Sequence, residues 1–392
     1  MKKAKTNNTT VEGYLKNKYN FRYNIFTSAV EFHSKTEKKF KVMKDFDLRS
    51  LVRELNANNY NISKSRLDDL FKSDFSYVYH PLKEYLKSLP EWDKTDYISE
   101  LAARVKTDDD DFFTDAFKRW FVAMVGCGIE DNIFNHTMII FSGGQGLGKS
   151  TFIRSLLPKE LDKYSYSGMI NPNSKDTLVH LSECLIIDLD ELSSLTRREN
   201  NDVKELITKS KIKIRRPYGR ISENLARRAS FVGSLNEDKF LTDLSGNRRF
   251  LSFKVESIDY KNPVNYKGVY SQALALYKSG FKFYFDGEEI NKINERNEIF
   301  RSKSTIEELV LSKYIPAINK YEAEFYLNSS ELLLKLNNSA NIQMSNTNSI
   351  QLGKVLKKLG FENIKKNGIQ KYAIDIIKHY DSENQQNLKK IS

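Results

Sequence analysis

Nine residues constrain this chain more than any others: Gly143-Gly144-Gln145-Gly146-Leu147-Gly148-Lys149-Ser150-Thr151. They fit G-x-x-x-x-G-K-[ST] and follow an apolar run, Met138-Ile139-Ile140-Phe141, which reads as a buried strand. Glycines let backbone N–H groups turn inward onto phosphate oxygens, so the whole stretch, Gly143, Gly144, Gln145, Gly146, Leu147, Gly148, Lys149, Ser150 and Thr151, is predicted to cradle ATP. Lys149 then reaches the β- and γ-phosphates. The Ser150 hydroxyl is placed to ligate Mg²⁺ at the start of a helix, which Pro158 ends.

Further strands are expected to carry the rest of a hydrolytic site. Cys184-Leu185-Ile186-Ile187 is apolar and runs into Asp188-Leu189-Asp190-Glu191, a strand ending in carboxylates. One acid there should organise Mg²⁺ and another should orient water. Asp188 and Asp190 both remain candidates for the metal, and Glu191 is the expected water-polarising residue. A third strand, Ser230-Phe231-Val232-Gly233-Ser234-Leu235, ends in Asn236, whose amide is positioned to hold the attacking water. A strand-terminal Asn is also an ordinary turn residue. Arg248 and Arg249, after a glycine turn at Gly246, read either as exposed turn residues or as arginine fingers.

Between the acids and Asn236 lies Lys209-Ser210-Lys211-Ile212-Lys213-Ile214-Arg215-Arg216-Pro217-Tyr218-Gly219-Arg220. Its alternation puts Lys211, Lys213 and Arg215 on one side of an exposed hairpin, with Arg216 and Arg220 at the turn and Arg227 and Arg228 on the return path. That face suits DNA phosphate contact rather than base reading, with a merely solvated strand as the alternative. A net charge of +12 agrees with a polyanionic partner, although charge alone also describes a lysine-rich surface.

The remaining composition narrows the class. Forty per cent hydrophobic residues over 392 positions supply cores for two or three domains. No run approaches the roughly 18 apolar residues of a membrane span, and the polar opening Met1-Lys2-Lys3-Ala4 lacks an apolar segment behind it, so a cytoplasmic location is expected. Cys127 and Cys184 sit in apolar contexts without zinc or disulfide spacing. The run Asp108 to Asp111 reads as a helix start rather than a metal site, because carboxylates favour helix N-termini and Phe112 to Val125 continues as an apolar helix.

In order and wording these motifs resemble the virulence-associated E family, a branch of the superfamily 3 helicases within the AAA+ ATPases. His80-Pro81 through Trp92-Asp93, the phosphate loop, Asp188-Leu189-Asp190-Glu191-Leu192, Arg216-Pro217-Tyr218-Gly219-Arg220, Phe231 to Asn236 and Gly246-Asn247-Arg248-Arg249-Phe250 carry the likeness. The chain departs at Asp188, where the family often has Glu, and at Ser234-Leu235, where it often has Thr-Thr. The resemblance implies a ring, a hexamer of one chain, with ATP between subunits, arginines acting in trans and basic hairpins lining a central channel. It also implies a mobile genetic element, with a primase often alongside or fused; the first 80 residues are too short for a primase domain and lack an acidic metal triad, so any primer synthesis would need a separate primase as partner.

The fold class that follows is α/β: a P-loop AAA+ (superfamily 3 helicase-like) core over 79–255, preceded by a small α+β module, 1–78. A helical lid-like segment, 256–308, a winged-helix-like domain, 309–380, and a disordered tail, 381–392, complete it. In the winged-helix-like domain, two helices precede a hairpin turning at Asn367-Gly368, and Lys354, Lys357 and Lys358 lie on the second helix. The expected function is an ATP-driven helicase or replication initiator acting on single-stranded or forked DNA. The alternative is a DNA-associated regulatory or anti-phage defence ATPase that does not unwind.

Overall fold

The computed structural model describes residues 10–171, 174–190, 197–215, 222–241, 247–340, 347–366 and 368–377. They fall into two compact units, one running to Phe240 and resuming to Phe300, the other taking in Leu241 and the residues from Arg301.

The first unit opens with α1 (Val11–Lys18), started by Thr10, whose hydroxyl accepts from the Gly13 N–H at 3.1 Å. Strands β1 (Tyr19–Asn24), β2 (Ala29–Ser34) and β3 (Lys41–Val42) precede helices α2 (Asp45–Ala57) and α3 (Lys64–Phe71) and strand β4 (Tyr77–Tyr79). They form a four-stranded sheet ordered β3-β2-β1-β4. Alternation puts Phe21, Val30 and Phe32 against Leu48, Leu51, Leu55, Leu67 and Phe71. The other sheet face is tied to the larger layer behind it. Asn24 donates to the Tyr164 hydroxyl at 2.7 Å, and Lys163 reaches buried Glu31 at 2.7 Å.

Pro81 then opens α4 (Pro81–Lys87), where its missing N–H costs nothing, and α5 (Tyr97–Ala102) follows. The amphipathic signal from Tyr97 to Val105 ends early: its last residues turn into β5 (Val105–Thr107). Asp109 caps α6 (Asp110–Ile129), accepting from the Phe112 N–H at 3.1 Å, so the acidic run is a helix start. Arg296 also closes on Asp108 and Asp109 at 2.7 and 3.2 Å.

The large sheet is built from β6 (Met138–Ser142), β7 (Ser165–Ser167), β8 (Ile186–Asp190), β11 (Ser230–Leu235) and β12 (Phe250–Ile258), with helices α7 (Lys149–Arg154), α8 (Lys175–Glu183) and α9 (Arg197–Thr208) in the connections. A separate antiparallel pair, β9 (Lys211–Ile214) and β10 (Glu223–Ala226), comes between α9 and β11. Sheet order is β5-β12-β6-β11-β8-β7, parallel from β12 to β7, with β5 antiparallel at the edge. Parallel strands are covered on both faces, which is why β6 and β11 are buried along their whole length. Phe113, Phe117, Phe121, Phe141, Phe152 and Phe253 pack between α6 and the sheet. Helices α10 (Tyr266–Lys278) and α11 (Gly287–Asn297) finish this unit, with Tyr270 and Ile293 in the same core.

The second unit holds α12 (Thr305–Leu311), β13 (Tyr314–Pro316), β14 (Phe325–Leu327), α13 (Ser329–Ala340), α14 (Thr347–Lys358), β15 (Asn363–Lys366) and β16 (Ile369–Ile376). β16 pairs antiparallel with each of the other three strands, and Leu332, Leu336, Leu352, Leu356 and Ile374 make the core. Lys354, Lys357 and Lys358 on α14 are all exposed. Among the described residues, no helix is long and apolar enough to cross a membrane.

Candidate functional site

Strand order creates the site. β11 lies between β6 and β8 although β8 precedes it in sequence, so the carboxyl ends of three strands meet at one edge. There the loop after β6, Asp190 at the end of β8 and Asn236 after β11 line one cavity of about 400 Å³. That volume lies within the range of small-ligand sites.

At two positions the loop requires glycine. Gly143 has φ +151°, and a Cβ there would sit 2.7 Å from the Val255 carbonyl oxygen of β12. Its N–H donates to the Leu235 carbonyl at 3.2 Å, fastening the loop to the end of β11. Gly148 has φ +88° immediately before α7, and a Cβ there would strike the Tyr260 ring. Gln145, Gly146, Leu147, Ser150 and Thr151 line the cavity; Gly144 contributes its carbonyl from the loop.

Lys149 is buried, and its ammonium folds back onto its own loop, donating to the Gly143 and Gly144 carbonyls at 2.6 and 2.7 Å and to Asn236 Oδ1 at 3.2 Å. Burial lowers its pKa, against the pull of Asp190. Neutral acceptors thus hold a cation where an anion would fit better.

The two acids differ. Asp190 lines the cavity and accepts from the Ser234 hydroxyl at 3.1 Å. Asp188, on the same face of β8, is only 3% exposed; its Oδ2 lies 3.4 Å from the Ser167 hydroxyl, and Oδ1 has no hydrogen-bond partner among the described residues. Burial, then the Asp190 charge, pushes its carboxyl up to about 6. The described residues contain no cluster of three or more His, Cys, Asp or Glu able to hold a metal. One hydroxyl, Ser150, with one cavity carboxylate, Asp190, fits Mg²⁺, which keeps several waters and takes further oxygens from substrate phosphates. Glu191 lies outside the described residues.

Arg248 and Arg249 lie elsewhere. They form a short 3₁₀ turn just before β12, and Phe250 is in register with Met138, the first residue of β6. They therefore sit at the opposite edge of the sheet from the loop, about 13 Å away along the strand. There they line a second cavity of about 300 Å³ with Asn135, His136, Phe283 and Tyr284. Burial, then Arg248, lowers the Arg249 pKa.

The basic hairpin is present as β9 and β10. Lys211, Lys213 and Arg215 are exposed while Ile212 and Ile214 are buried, and Lys213 stands across from Asn224. Arg216 and Arg220 lie outside the described residues. The return path differs from the sequence reading. Arg227 is fully buried, donating to the Asn135 carbonyl at 3.0 Å, its pKa lowered to about 10 by burial. Arg228 is buried too, bonding the Gly128 carbonyl at 3.3 Å and Asp131 at 2.8 Å. Both brace the core instead of extending a basic face, because β11 must enter the sheet immediately after them.

Three cavity residues, Ser234, Leu235 and Tyr260, escaped the sequence reading. Ser234, one position before the strand end, orients Asp190. Tyr260, after β12, carried no signal, since nothing in its surroundings links it to a loop formed far earlier in the chain.

No curated protein matches this chain. Among solved structures it is similar to the apo C-terminal region of NrS-1 (residues 305–718), at 14% identity over 93% of this chain and 97% of that one, with a TM-score of 0.50. The A form of that region aligns at 15% identity over 93% and 98%, with a TM-score of 0.46. The first likeness is one of fold. The virulence-associated protein E-like domain matches residues 86–302, more than half of the chain. That span includes the phosphate loop, the acids, Asn236 and the arginine pair, and the chain belongs to the virulence-associated protein E-like family.

Proposed function

We propose that this chain is an ATP-hydrolysing, AAA+-type DNA motor of a mobile genetic element, of the helicase or replication-initiator kind, assembled as a ring with ATP bound between copies. The observation that carries the reading is the convergence of Lys149, Asp190 and Asn236 on one cavity at the carboxyl edge of the parallel sheet. On this reading Lys149 leaves the Gly143 and Gly144 carbonyls for β- and γ-phosphate oxygens, while the loop N–H groups and the start of α7 hold the remaining charge. Asn236 orients a water in line with the γ-phosphorus, and Glu191 accepts its proton as the bond to ADP breaks. Ser150 and Asp190 would hold Mg²⁺, which neutralises charge on the phosphates. Asp188, behind Asp190, keeps that region anionic.

Arg248 and Arg249 cannot serve the loop of their own chain from the far edge of the sheet, so they serve the γ-phosphate bound by a neighbouring copy. That geometry supports a closed, head-to-tail assembly, for which six is the number the family resemblance implies. The exposed Lys211, Lys213 and Arg215 face would grip DNA phosphates, and the lysines of α14 offer a second contact in a winged-helix-like unit. A forked-DNA unwinding assay beside DNA-stimulated ATP turnover tests the reading. Wild type should hydrolyse ATP and unwind, and Lys149→Ala should do neither. Equal turnover in the two proteins would end the ATPase reading, and hydrolysis without unwinding would favour a regulatory or defence ATPase.

A further inference from the structure

We infer that Tyr260 receives the nucleoside end of the bound triphosphate, stacking its ring on the base, and so decides that the cavity takes a nucleotide rather than a bare polyphosphate. The assignment rests on the nucleotide reading above and adds the half of the ligand which that reading leaves without a partner.

Topology sets the direction of the ligand. β6 has two neighbours, β11 on one side and β12 on the other. Asn236 comes from β11, and Asp190 from β8 beyond it, so both groups suited to the reacting phosphate stand on one flank of the loop. Tyr260 comes from β12, on the opposite flank. A triphosphate whose terminal phosphate points toward Asn236 and Asp190 must send its other end toward Tyr260.

Chemistry agrees. The cavity is lined by loop backbone, Lys149, two hydroxyl groups of α7, Asp190, Ser234 and Asn236, and Tyr260 is the aromatic residue among them. Its ring lies close enough to the loop that a Cβ on Gly148 would meet ring carbons at 2.1 and 2.5 Å, yet the residue stays 38% exposed. One part of the ring is thus seated on the phosphate loop and the rest is open to a ligand. The backbone around it is braced: Arg104 donates to the Asn262 and Pro263 carbonyls at 2.7 and 2.9 Å, and Asp259 N–H donates to the Arg104 carbonyl at 2.8 Å. Such a ring is held in place before binding, which keeps the ordering cost of stacking low.

Equilibrium binding of a non-hydrolysable ATP analogue and of inorganic tripolyphosphate, both with Mg²⁺, to the full chain separates base from phosphate recognition. Tyr260→Ala should weaken the analogue by about 10-fold, inside the roughly 5- to 150-fold that aromatic stacking on a base supplies, and change tripolyphosphate binding by less than about 2-fold. Tyr260→Phe, which keeps the ring, should match wild type. An unchanged analogue affinity in Tyr260→Ala overturns the assignment, as do equal losses for both ligands, which mean a damaged loop, or equal gains, which mean a ring that merely plugs it. Failure of the underlying reading has its own signature: wild type and Lys149→Ala then bind tripolyphosphate equally poorly, and the Tyr260 assignment falls with it.

Discussion

The carboxyl and amino edges of the six-stranded sheet carry different chemistry. At the carboxyl edge the groups satisfy one another provisionally: Lys149 on loop carbonyls and Asn236, Asp190 on Ser234. At the amino edge Arg248 and Arg249 surround a cavity of aromatic rings and amides, with no phosphate loop within reach. On the proposed reading, one edge receives polyphosphate and the other supplies positive charge to a neighbouring copy. A single chain holds both, and the parallel register between Phe250 and Met138 is what separates them; the proposed reading has a second copy complete the reaction.

The sharpest way to break this division is at the donor edge. Arg248→Ala or Arg249→Ala should slow ATP turnover by about 10³-fold, while affinity for a non-hydrolysable analogue changes little, because neither residue touches the loop of its own chain. A matching loss of affinity, measured by equilibrium titration, would place them in the cavity of their own chain.

A smaller effect is expected behind the receptor edge. Asp188 has its carboxyl raised to about 6, from an ordinary 3.8, chiefly by burial. A carboxyl whose folded pKa is raised binds its proton more tightly when folded, so its contribution to stability is present at low pH and is lost as pH rises from about 4 to about 6. Above that window the buried charge is a cost. Asp188→Asn should therefore raise the unfolding free energy, without metal or nucleotide, by up to about 3 kcal/mol near pH 8 and by little near pH 4. Urea denaturation at the two pH values reads the difference. A less stable variant at high pH would mean that Asp188 is paired after all.

The smallest change belongs to the basic hairpin. Lys213→Ala should flatten the log K against log salt slope for single-stranded DNA by about 0.7 for each phosphate that the lysine neutralises, with basal ATP turnover retained. An unchanged slope would move the DNA grip to the lysines of α14.

Much of the receptor edge was legible because chemistry and burial wrote the same pattern. Met138 to Phe141 and Phe231 to Val232 are apolar since parallel strands are covered twice, and Gly143 and Gly148 are glycine because those two positions admit nothing else. Alternation alone put Asp188 and Asp190 on one face and was silent on depth; only the cavity separates them. Arg227 and Arg228 misled because charge ordinarily means surface, whereas here the entry of β11 into the sheet carries both inside. The short β5 was hidden by an apolar spacing that α5 had already used, and Tyr260 could be found only by folding the chain.

A mixing experiment tests the central claim, a site shared between copies, most directly. Lys149→Ala has an intact donor edge and a broken receptor; the Arg248→Ala, Arg249→Ala double variant has the reverse. Combined in equal amounts, the two inactive proteins should recover part of the wild-type ATP turnover, because some interfaces then pair an intact loop with intact arginines. No recovery, in a mixture shown by crosslinking to contain mixed assemblies, would contradict the division of the site between neighbouring chains.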